Sequence, residues 1–386
     1  KKADVGGKPF HQSIWSRVIA NAERNNLPNK FTAFIGYEWT SALSSPAYSS
    51  LHRVVIFKDG EEKANQVIPF TSNDSDRPED LWTYLATYQS KTGGEVLAIP
   101  HNSNLSNGRM FMLKDSTGKP LNRAYAETRA RWEPLVEVTQ IKGDSETHPI
   151  LSPSDEFADY ETWNSVAGSA YEEVKIEGWE KRKELEYARS ALKLGLSQQA
   201  KLGVNPFKFG LIGSTDSHTS LTTADENNFW GKWPLSEPSA ERMMTTESFN
   251  WQMNAAGYAA VWATENTREA LFAAMKRKEV YASTGPRMTV RFFGGWDYQL
   301  DDAFKPDLSR IGYEKGVPMG GDLAHGPKGK SPKFLIRAVK DPDGANLDRV
   351  QVIKGWHDKN GELYEKIYNV ALSDGRKENW RGKVKP

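Results

Sequence analysis

The alternation of strand-like and helix-like segments restricts the fold of this 386-residue chain more than any other feature. Across residues 1–287, short runs rich in Val, Ile, Leu and Phe alternate with segments whose apolar residues recur at helical spacing. Such alternation is typical of α/β folds, in which helices cover a sheet. The expected strands are residues 31–40, 52–57, 96–100, 135–142 and 207–213.

Helix-starting and helix-ending residues bound the segments between these strands. We expect helices at 11–26 and 178–202, one that begins at Asp76 and ends at Gly93, and one capped by Thr267. Residues 105–131 are charged without a clear period, and 226–250 resemble a long insertion. These two segments carry no prediction of regular structure.

The sequence pattern changes near residue 288. From there, short alternating runs are separated by turns rich in Gly, Pro and Asp, such as Asp341-Pro-Asp-Gly. The runs are residues 288–293, 333–339, 348–353 and 363–370. This pattern predicts a small all-β, sandwich-like domain over 288–386 that follows an α/β domain over 1–287.

Composition excludes several classes of protein. The 51 Lys and Arg residues balance 50 Asp and Glu residues to a net charge of +1, so no overall field favours nucleic acid or a membrane surface. There are no cysteines, which excludes disulfides, thiolate zinc sites and a cysteine nucleophile. No apolar stretch approaches the ~18 residues that suggest a membrane-spanning helix. We therefore expect neither a nucleic-acid partner nor a membrane span.

Potential metal ligands lie at the ends of several expected strands. Glu38, His101 and Glu137 come at or near the ends of their strands, Asp216 and His218 follow the last one, and His52 opens its strand. In parallel α/β folds the carboxyl ends of the strands form one face, where sites are built. Each residue alone has an ordinary structural explanation, as an ion pair, a strand edge or a turn. Their repeated placement indicates a site.

The types of these residues narrow the chemistry. His, Asp and Glu ligands without Cys favour Zn, Mn or Fe over Ca or a structural zinc site. A carboxylate that bridges two metals, with a hydroxide between them, is an arrangement that hydrolyses phosphate esters. The chain has no Gly-x-Ser-x-Gly elbow, Walker loop or Gly-x-Gly-x-x-Gly sequence, so serine hydrolase and nucleotide-loop chemistry are not indicated.

Several strings together resemble the polymerase-and-histidinol-phosphatase (PHP) superfamily of metal-dependent phosphoesterases, in a bacterial branch long classed as a domain of unknown function. The resemblance covers nearly the whole chain and implies a distorted, TIM-like β/α barrel with two or three divalent transition metals. The strings are Phe34-Ile-Gly-Tyr-Glu-Trp-Thr, Ile99-Pro-His-Asn-Ser-Asn, Gln140-Ile-Lys-Gly-Asp-Ser-Glu-Thr-His-Pro, Asn205-Pro-Phe-Lys-Phe-Gly, Asp216-Ser-His and Thr284-Gly-Pro-Arg.

The resemblance also implies a role for each matching residue. Glu38 would bridge two metals, His52 and His101 would bind the second, Asp216 the first and His218 a third. The substrate anion would be held by Lys142, Glu146 and His148, although a salt-bridged surface loop explains these three equally simply. Arg109 and Arg287 are further substrate candidates. Either His218 or His148 would protonate the leaving group.

The sequence departs from the superfamily pattern before Glu38. An opening His-x-His strand and a second histidine-bearing strand should precede it, and His11 lies in an expected helix. We therefore expect these strands upstream of residue 1, which leaves the barrel incomplete at its N-terminus. The same reasoning favours a periplasmic or secreted location and leaves a cytoplasmic one open.

Two functions follow from these observations. The first is a metal-dependent hydrolase of small-molecule phosphoesters, with phosphonate and sulfate esters as further candidates and a metal-bound hydroxide as nucleophile. The second is a ligand-binding protein for a carbohydrate or an anion, in which the 13 Trp and 14 Tyr residues form the surface and the histidines are structural. Trp39, Trp82, Trp132 and Trp262 fit core packing better, because they fall within strand or helix patterns. We interpret His325 and His357 as surface or structural residues.

Overall fold

The computed structural model of the protein describes residues 7–43, 49–163, 178–218, 232, 240, 257–379 and 383–384. The mixed α/β class predicted from the sequence is confirmed. The α-helices are α1 (Gly7–Asn25), α2 (Glu61–Ala64), α3 (Pro78–Thr92), α4 (Arg123–Trp132), α5 (Trp179–Lys183), α6 (Ala188–Leu202), α7 (Arg268–Lys276) and α8 (Leu308–Lys315).

Local chemistry sets the ends of several helices. The side chain of Thr267 accepts a hydrogen bond from the backbone N–H of Ala270, as predicted for the start of α7. Helix α3 ends at Gly93, whose φ of 64° is a conformation that glycine adopts without steric cost. Its N-cap is Arg77 rather than the predicted Asp76, and no side chain caps it.

Two helical segments differ from the sequence prediction. Helix α4 lies in the stretch predicted to be irregular, because one of its buried positions carries the charged Arg129 and weakens the apolar period. The single helix expected over 178–202 is interrupted before Ala188. There the backbone N–H groups of Ala188 and Arg189 donate to the carbonyls of Ser145 and Glu146, at 2.9 and 3.0 Å, so a tertiary contact fixes the start of α6.

The strands form small sheets rather than one continuous sheet. In chain order they are β1 (Ile35–Trp39), β2 (Ala42–Leu43), β3 (Ser49–Ser50), β4 (Arg53–Phe57), β5 (Val96–Pro100), β6 (Leu135–Gln140), β7 (Gly143–Asp144), β8 (Gly210–Gly213), β9 (Tyr258–Val261), β10 (Val280–Ser283), β11 (Thr289–Gly295), β12 (Gly316–Pro318), β13 (Lys333–Val339), β14 (Arg349–His357) and β15 (Leu363–Leu372). Among the described residues, none of these sheets closes into a barrel.

Two three-stranded sheets organise the first part of the chain. One has the order β1-β4-β5 and both of its pairings are antiparallel. The other has the order β7-β6-β8, in which β6 and β8 are parallel. The pair β9 and β10 lies beside β8. The sheet arrangement is therefore mixed, whereas the sequence had suggested parallel strands.

A buried aromatic cluster joins the first sheet to its helices. Trp15 of α1, Trp39 of β1, Phe57 of β4 and Tyr88 of α3 lie together in it, all with almost no exposed surface. The ring centroids of Phe57 and Tyr88 are 4.9 Å apart at 85°, an edge-to-face contact. This core fixes the positions of β1, β4 and β5.

A buried ion-pair triad ties the same sheet to the next helices. Glu133, at the C-terminal end of α4, accepts a hydrogen bond from Arg53 Nε at 3.0 Å and forms an ion pair with Arg129, whose Nε lies 3.1 Å away. Trp82 of α3 donates its indole N–H to Glu133 Oε1 at 2.9 Å. All three charged side chains are nearly inaccessible to solvent. The triad therefore links β4, α3 and α4.

The C-terminal region contains more helix than the sequence predicted. The strands of its three-stranded sheet have the order β12-β11-β13, and β14 pairs with β15 in a hairpin. Helix α8 packs against β11 through Ile311, Leu308 and Phe293, whereas this region was expected to be all-β. The hairpin contacts α6, where Glu365 of β15 lies 2.9 Å from Arg189. Within the described ranges, no helix is long and apolar enough to cross a membrane.

We expect Glu133→Gln to lower the free energy of unfolding by about 3–5 kcal/mol, because two buried guanidinium groups lose their shared carboxylate. Urea unfolding at neutral pH measures this change. Glu127→Gln is the matched control, since Glu127 forms an exposed pair with Arg123 within α4, and we expect it to cost at most about 0.5 kcal/mol. Equal effects of the two substitutions would contradict the structural role of the triad.

The contribution of Glu133 should also depend on pH. Burial alone would raise the pKa of the Glu133 carboxyl, but Arg53 and Arg129 outweigh it and leave this pKa below its usual range. A lowered pKa contributes stability in full above the unfolded value of about 4.3, and this contribution is lost as the pH falls through the folded value. The difference in unfolding free energy between the wild type and Glu133→Gln should therefore shrink from about pH 7 to about pH 3. A difference that grows in acid would contradict this assignment.

Candidate metal centre

Glu38, His52 and His101 converge at one edge of the β1-β4-β5 sheet. His52 Nδ1 lies 2.8 Å and His101 Nε2 lies 3.0 Å from the same oxygen, Glu38 Oε1. One ligand atom from each of the three residues falls within 4.8 Å of the others. The sequence predicted these residues as ligands of a common site, and the fold does bring them together.

The antiparallel register explains why these residues meet. Trp39 pairs with Arg53 across β1 and β4, and Arg53 pairs with Pro100 across β4 and β5. The ends of β1 and β5 therefore lie beside the beginning of β4, where His52 precedes Arg53. The sequence argument relied on the shared carboxyl edge of parallel strands, and that premise is wrong for this sheet. In an antiparallel sheet, a ligand from the middle strand must come from its beginning, as His52 does.

The donor set fits a divalent transition metal. Two imidazoles and one carboxylate are ligands that Zn, Mn and Fe accept. Burial would raise the pKa of the Glu38 carboxyl, but hydrogen bonds from His101 and His52 outweigh it and hold this pKa far below its usual range. Burial also lowers the pKa of His52. Glu38 is therefore ionised and His52 favours its neutral form, the states that metal binding requires.

The remaining imidazole nitrogens leave part of this site unexplained. His52 Nε2 and His101 Nδ1 are both buried, and neither has a hydrogen-bond partner within the described part of the chain. A metal-bound histidine normally donates its second ring N–H to an acceptor. Within the described part of the chain, both histidines therefore lack the acceptor that usually orients a metal-binding imidazole.

Asp216 and His218, the other two predicted metal ligands, follow β8 and form a second half of the site that lies outside the group of three potential ligands around Glu38. The φ of Asp216 is 48°, which is unusual for a residue other than glycine. Asp216 Oδ2 receives Gln140 Nε2 at 3.0 Å, Lys232 Nζ at 3.0 Å and the ammonium of Lys142 at close range. His218 Nε2 lies 3.4 Å from Asp216 Oδ1. The predicted metal ligand Asp216 thus contacts two lysines, one of which, Lys142, was predicted to bind substrate.

Electrostatic interactions join the two halves. Lys142 and Lys232 both interact with the charge of Glu38, and His218 interacts with Glu38 and His101. Burial, followed by the two lysine charges, lowers the pKa of His218 to about 4. Burial likewise lowers the pKa of Lys232 to about 8 and that of Lys142 well below its usual range. These shifts share one cause, the removal of several charged groups from water at one place.

Lys232 is a site residue that the sequence analysis missed. Its side chain is 1% exposed, and its ammonium also donates to the backbone carbonyl of Asp216. The residue lies within 226–250, where no apolar period or recognisable string marks it. Only the fold brings it to Asp216.

Glu137 lies beneath the site on β6. Its Oε2 accepts the hydroxyl of Ser214, while Oε1 is buried without a hydrogen-bond partner among the described residues. Burial raises the pKa of the Glu137 carboxyl, although His101, Lys142 and Lys232 act against this change. This residue was noted at a strand end but was not assigned as a ligand. These contacts are those of a residue that supports the site from below rather than one that binds a ligand directly.

Glu146 and His148 have their described contacts elsewhere. Glu146 Oε1 is 3.5 Å from Arg189, which also binds Asp155 at 2.6 Å and Glu365 at 2.9 Å. The ring of His148 packs against Tyr187 with centroids 5.5 Å apart, and His148 Nδ1 accepts the backbone N–H of Ile150 at 3.2 Å. The alternative of a salt-bridged loop, given above for these residues, describes Glu146 well.

The two arginine candidates have described contacts with other residues. Arg109 lines a cavity of about 440 Å³ together with Arg53 and Arg129. Arg287 is exposed, and its guanidinium lies over the ring of Tyr258 at 5.6 Å. Neither arginine has a described contact with Glu38 or Asp216, so their roles in substrate binding stay predictions.

Fold and site together define a mixed α/β protein with a candidate metal-binding cluster of one glutamate and two histidines. Residues 2–386 match the family model described as "Protein of unknown function (DUF3604)", and the chain belongs to this family. Neither a search of curated proteins nor a search of solved structures found a match.

We expect Glu38→Gln and His52→Gln to weaken Zn or Mn binding by more than the about 10- to 100-fold that loss of an outer-shell partner costs. The reason is that each substitution would remove a group that can coordinate the metal directly. Metal-loaded, dialysed protein is assayed for metal content by mass spectrometry, with circular dichroism as the check on folding. The control is His325→Gln, at an exposed histidine, which should keep its metal. Unchanged metal content in folded Glu38→Gln protein would overturn the site.

Proposed function

We propose that the protein is a metal-dependent hydrolase of small-molecule phosphoesters, with phosphonate and sulfate esters as further candidate substrates. One observation supports this most strongly: the imidazole nitrogens of two histidines converge on a single oxygen of Glu38. The charged group around Asp216 adjoins this cluster through Lys142 and Lys232. A cation-binding group next to buried lysine side chains would attract the negatively charged oxygens of a phosphate or sulfate ester.

Each residue of the site would have a distinct role. Glu38, His52 and His101 would hold the metal, which when bound polarises an ester and lowers the pKa of water. Lys142 would hold the substrate anion, because its ammonium lies beside Asp216 and interacts with Glu38. Further ligands from Asp216 and His218, and a total of two or three metals, follow from the PHP resemblance and belong to this proposal.

We assign proton transfer to the leaving group to His218 rather than His148, as the alternative to a role of His218 as ligand of a third metal. Because its pKa is lowered to about 4, His218 is neutral near pH 7 and would donate its imidazole N–H. His218 lies at Asp216, and 38% of its side chain is exposed, so it borders the opening of the site. His148 instead packs on Tyr187 and accepts a backbone N–H. A proton donor must reach the leaving oxygen directly or through one water, and only His218 has a described contact within the site.

The proposal also covers the fold, the metal and the location of the protein. We propose that β1, β4, β5, β6 and β8 belong to a PHP-type β/α barrel that is distorted by the antiparallel pairing of β1, β4 and β5, with a boundary near residue 288 before the C-terminal β-containing domain. We propose Zn, Mn or Fe as the metal and a periplasmic or secreted location. The support is the PHP resemblance, together with the donor set.

The test is hydrolysis by metal-depleted and metal-restored protein of aryl phosphate, phosphodiester, phosphonate and sulfate esters. We expect turnover only after metal is restored, and a loss of at least about 10²-fold in kcat/KM for Glu38→Gln, the size seen when one charge-stabilising group is removed. His325→Gln should retain activity. Tight metal binding without turnover of any ester, together with saturable carbohydrate binding, would favour the ligand-binding alternative.

A further inference from the structure

The two lysines at Asp216 form an unusual group. Both ammonium groups contact the same carboxylate oxygen, Asp216 Oδ2, and Gln140 donates to it as well. One carboxylate compensates one unit of positive charge, so a second lysine at the same oxygen adds a positive charge that Asp216 does not compensate whenever both amines are protonated. Holding them there costs desolvation energy, since Lys232 is 1% exposed and Lys142 is 15% exposed.

An exposed Lys–carboxylate pair elsewhere in the described chain provides a comparison. Lys208 meets Asp322 at 2.6 Å where both side chains are largely exposed, and such a pair contributes little. Lys232 is different because its ammonium also donates to the backbone carbonyl of Asp216. The same residue thus holds both the side chain and the backbone of Asp216, whose φ is positive.

The lysine pair lies beside the candidate metal cluster. Gln140, which donates its amide to Asp216 Oδ2, also donates it to Asn102, the residue that follows His101. The two lysines are more deeply buried than Glu38 and His218, whose side chains are 30% and 38% exposed.

We infer that Lys142 and Lys232 together form a subsite for the non-bridging oxygens of a tetrahedral oxyanion, phosphate or sulfate. Lysine is a flexible point charge that binds such oxygens without the fixed geometry of arginine. The shared partner Asp216 holds both side chains when no ligand is bound. This inference rests on the proposed function for the identity of the substrate ester, and it adds Lys232 to the residues that bind it.

The test is titration of the full chain with inorganic phosphate and, separately, with sulfate, by isothermal calorimetry. We expect the wild type to bind at least one of them and Lys232→Met and Lys142→Met each to weaken binding by about 10-fold or more, the effect of losing one hydrogen bond to a charged group. The two titrations distinguish a phosphate subsite from a sulfate subsite. Lys208→Met is the matched control and should bind like the wild type.

Two further measurements separate binding from folding. Circular dichroism shows whether Lys232→Met is folded, and Lys232→Arg, which restores the charge, should recover part of the affinity. Should Lys232→Met fail to fold, Lys232→Gln replaces it, because glutamine can still donate to the backbone carbonyl of Asp216. Oxyanion binding that is unchanged in the folded lysine variants, or absent from the wild type, would overturn the inference.

The subsite and the proposed hydrolase can fail independently. Metal content is measured in the same samples, and we expect Lys232→Met to keep its metal because Glu38, His52 and His101 are intact. Lysine-dependent oxyanion binding without hydrolysis of any ester would retain the subsite and overturn the hydrolase. Metal-dependent hydrolysis with unchanged oxyanion affinity and KM in Lys232→Met would retain the hydrolase and overturn the subsite.

Discussion

The buried triad of Arg53, Glu133 and Arg129 is the interaction on which the arrangement of the site depends. Arg53 is the first residue of β4 and directly follows His52, so the ion pair that fixes Arg53 also fixes the backbone beside a candidate ligand. A carboxylate at the C-terminal end of a helix is unfavourable by itself. The two guanidinium groups reverse this effect, and the indole N–H of Trp82 adds a third donor. These ion pairs and the Trp82 hydrogen bond thus hold β4 against α3 and α4.

This support lets the β1-β4-β5 sheet present three ligand-type side chains at one edge. Trp39 is buried in the aromatic core while its neighbour Glu38 faces the opposite side, as alternation along a strand requires. His52 and His101 meet Glu38 there. The second half of the site comes from the parallel pair β6 and β8, which supplies Glu137 and leads to Asp216. The site therefore lies where an antiparallel sheet and a parallel one come together.

Much of the local structure could be predicted from the sequence, and the exceptions have physical causes. Apolar runs predicted β4, β5 and β13 closely, because burial leaves a clear pattern along the chain. Helix α4 was missed because Arg129 occupies a buried position that a guanidinium can fill only with a carboxylate partner from another part of the fold. The break before α6 was missed because carbonyl groups of Ser145 and Glu146 determine it. Helix α8 was missed within a region rich in turns.

By itself, the sequence determined the mixed α/β class and placed Glu38, His52 and His101 among five candidate metal ligands, since residue type and position at strand ends are visible along the chain. Which three of the five come together was decided by the tertiary structure. Only the tertiary structure decided that these strands are antiparallel, that Lys232 reaches Asp216, and that Glu146 pairs with Arg189. Strand direction depends on which strands pair, and an ion pair depends on distance in space. The residues at these contacts lie 16 to 80 positions apart in the chain, and no local pattern encodes such meetings.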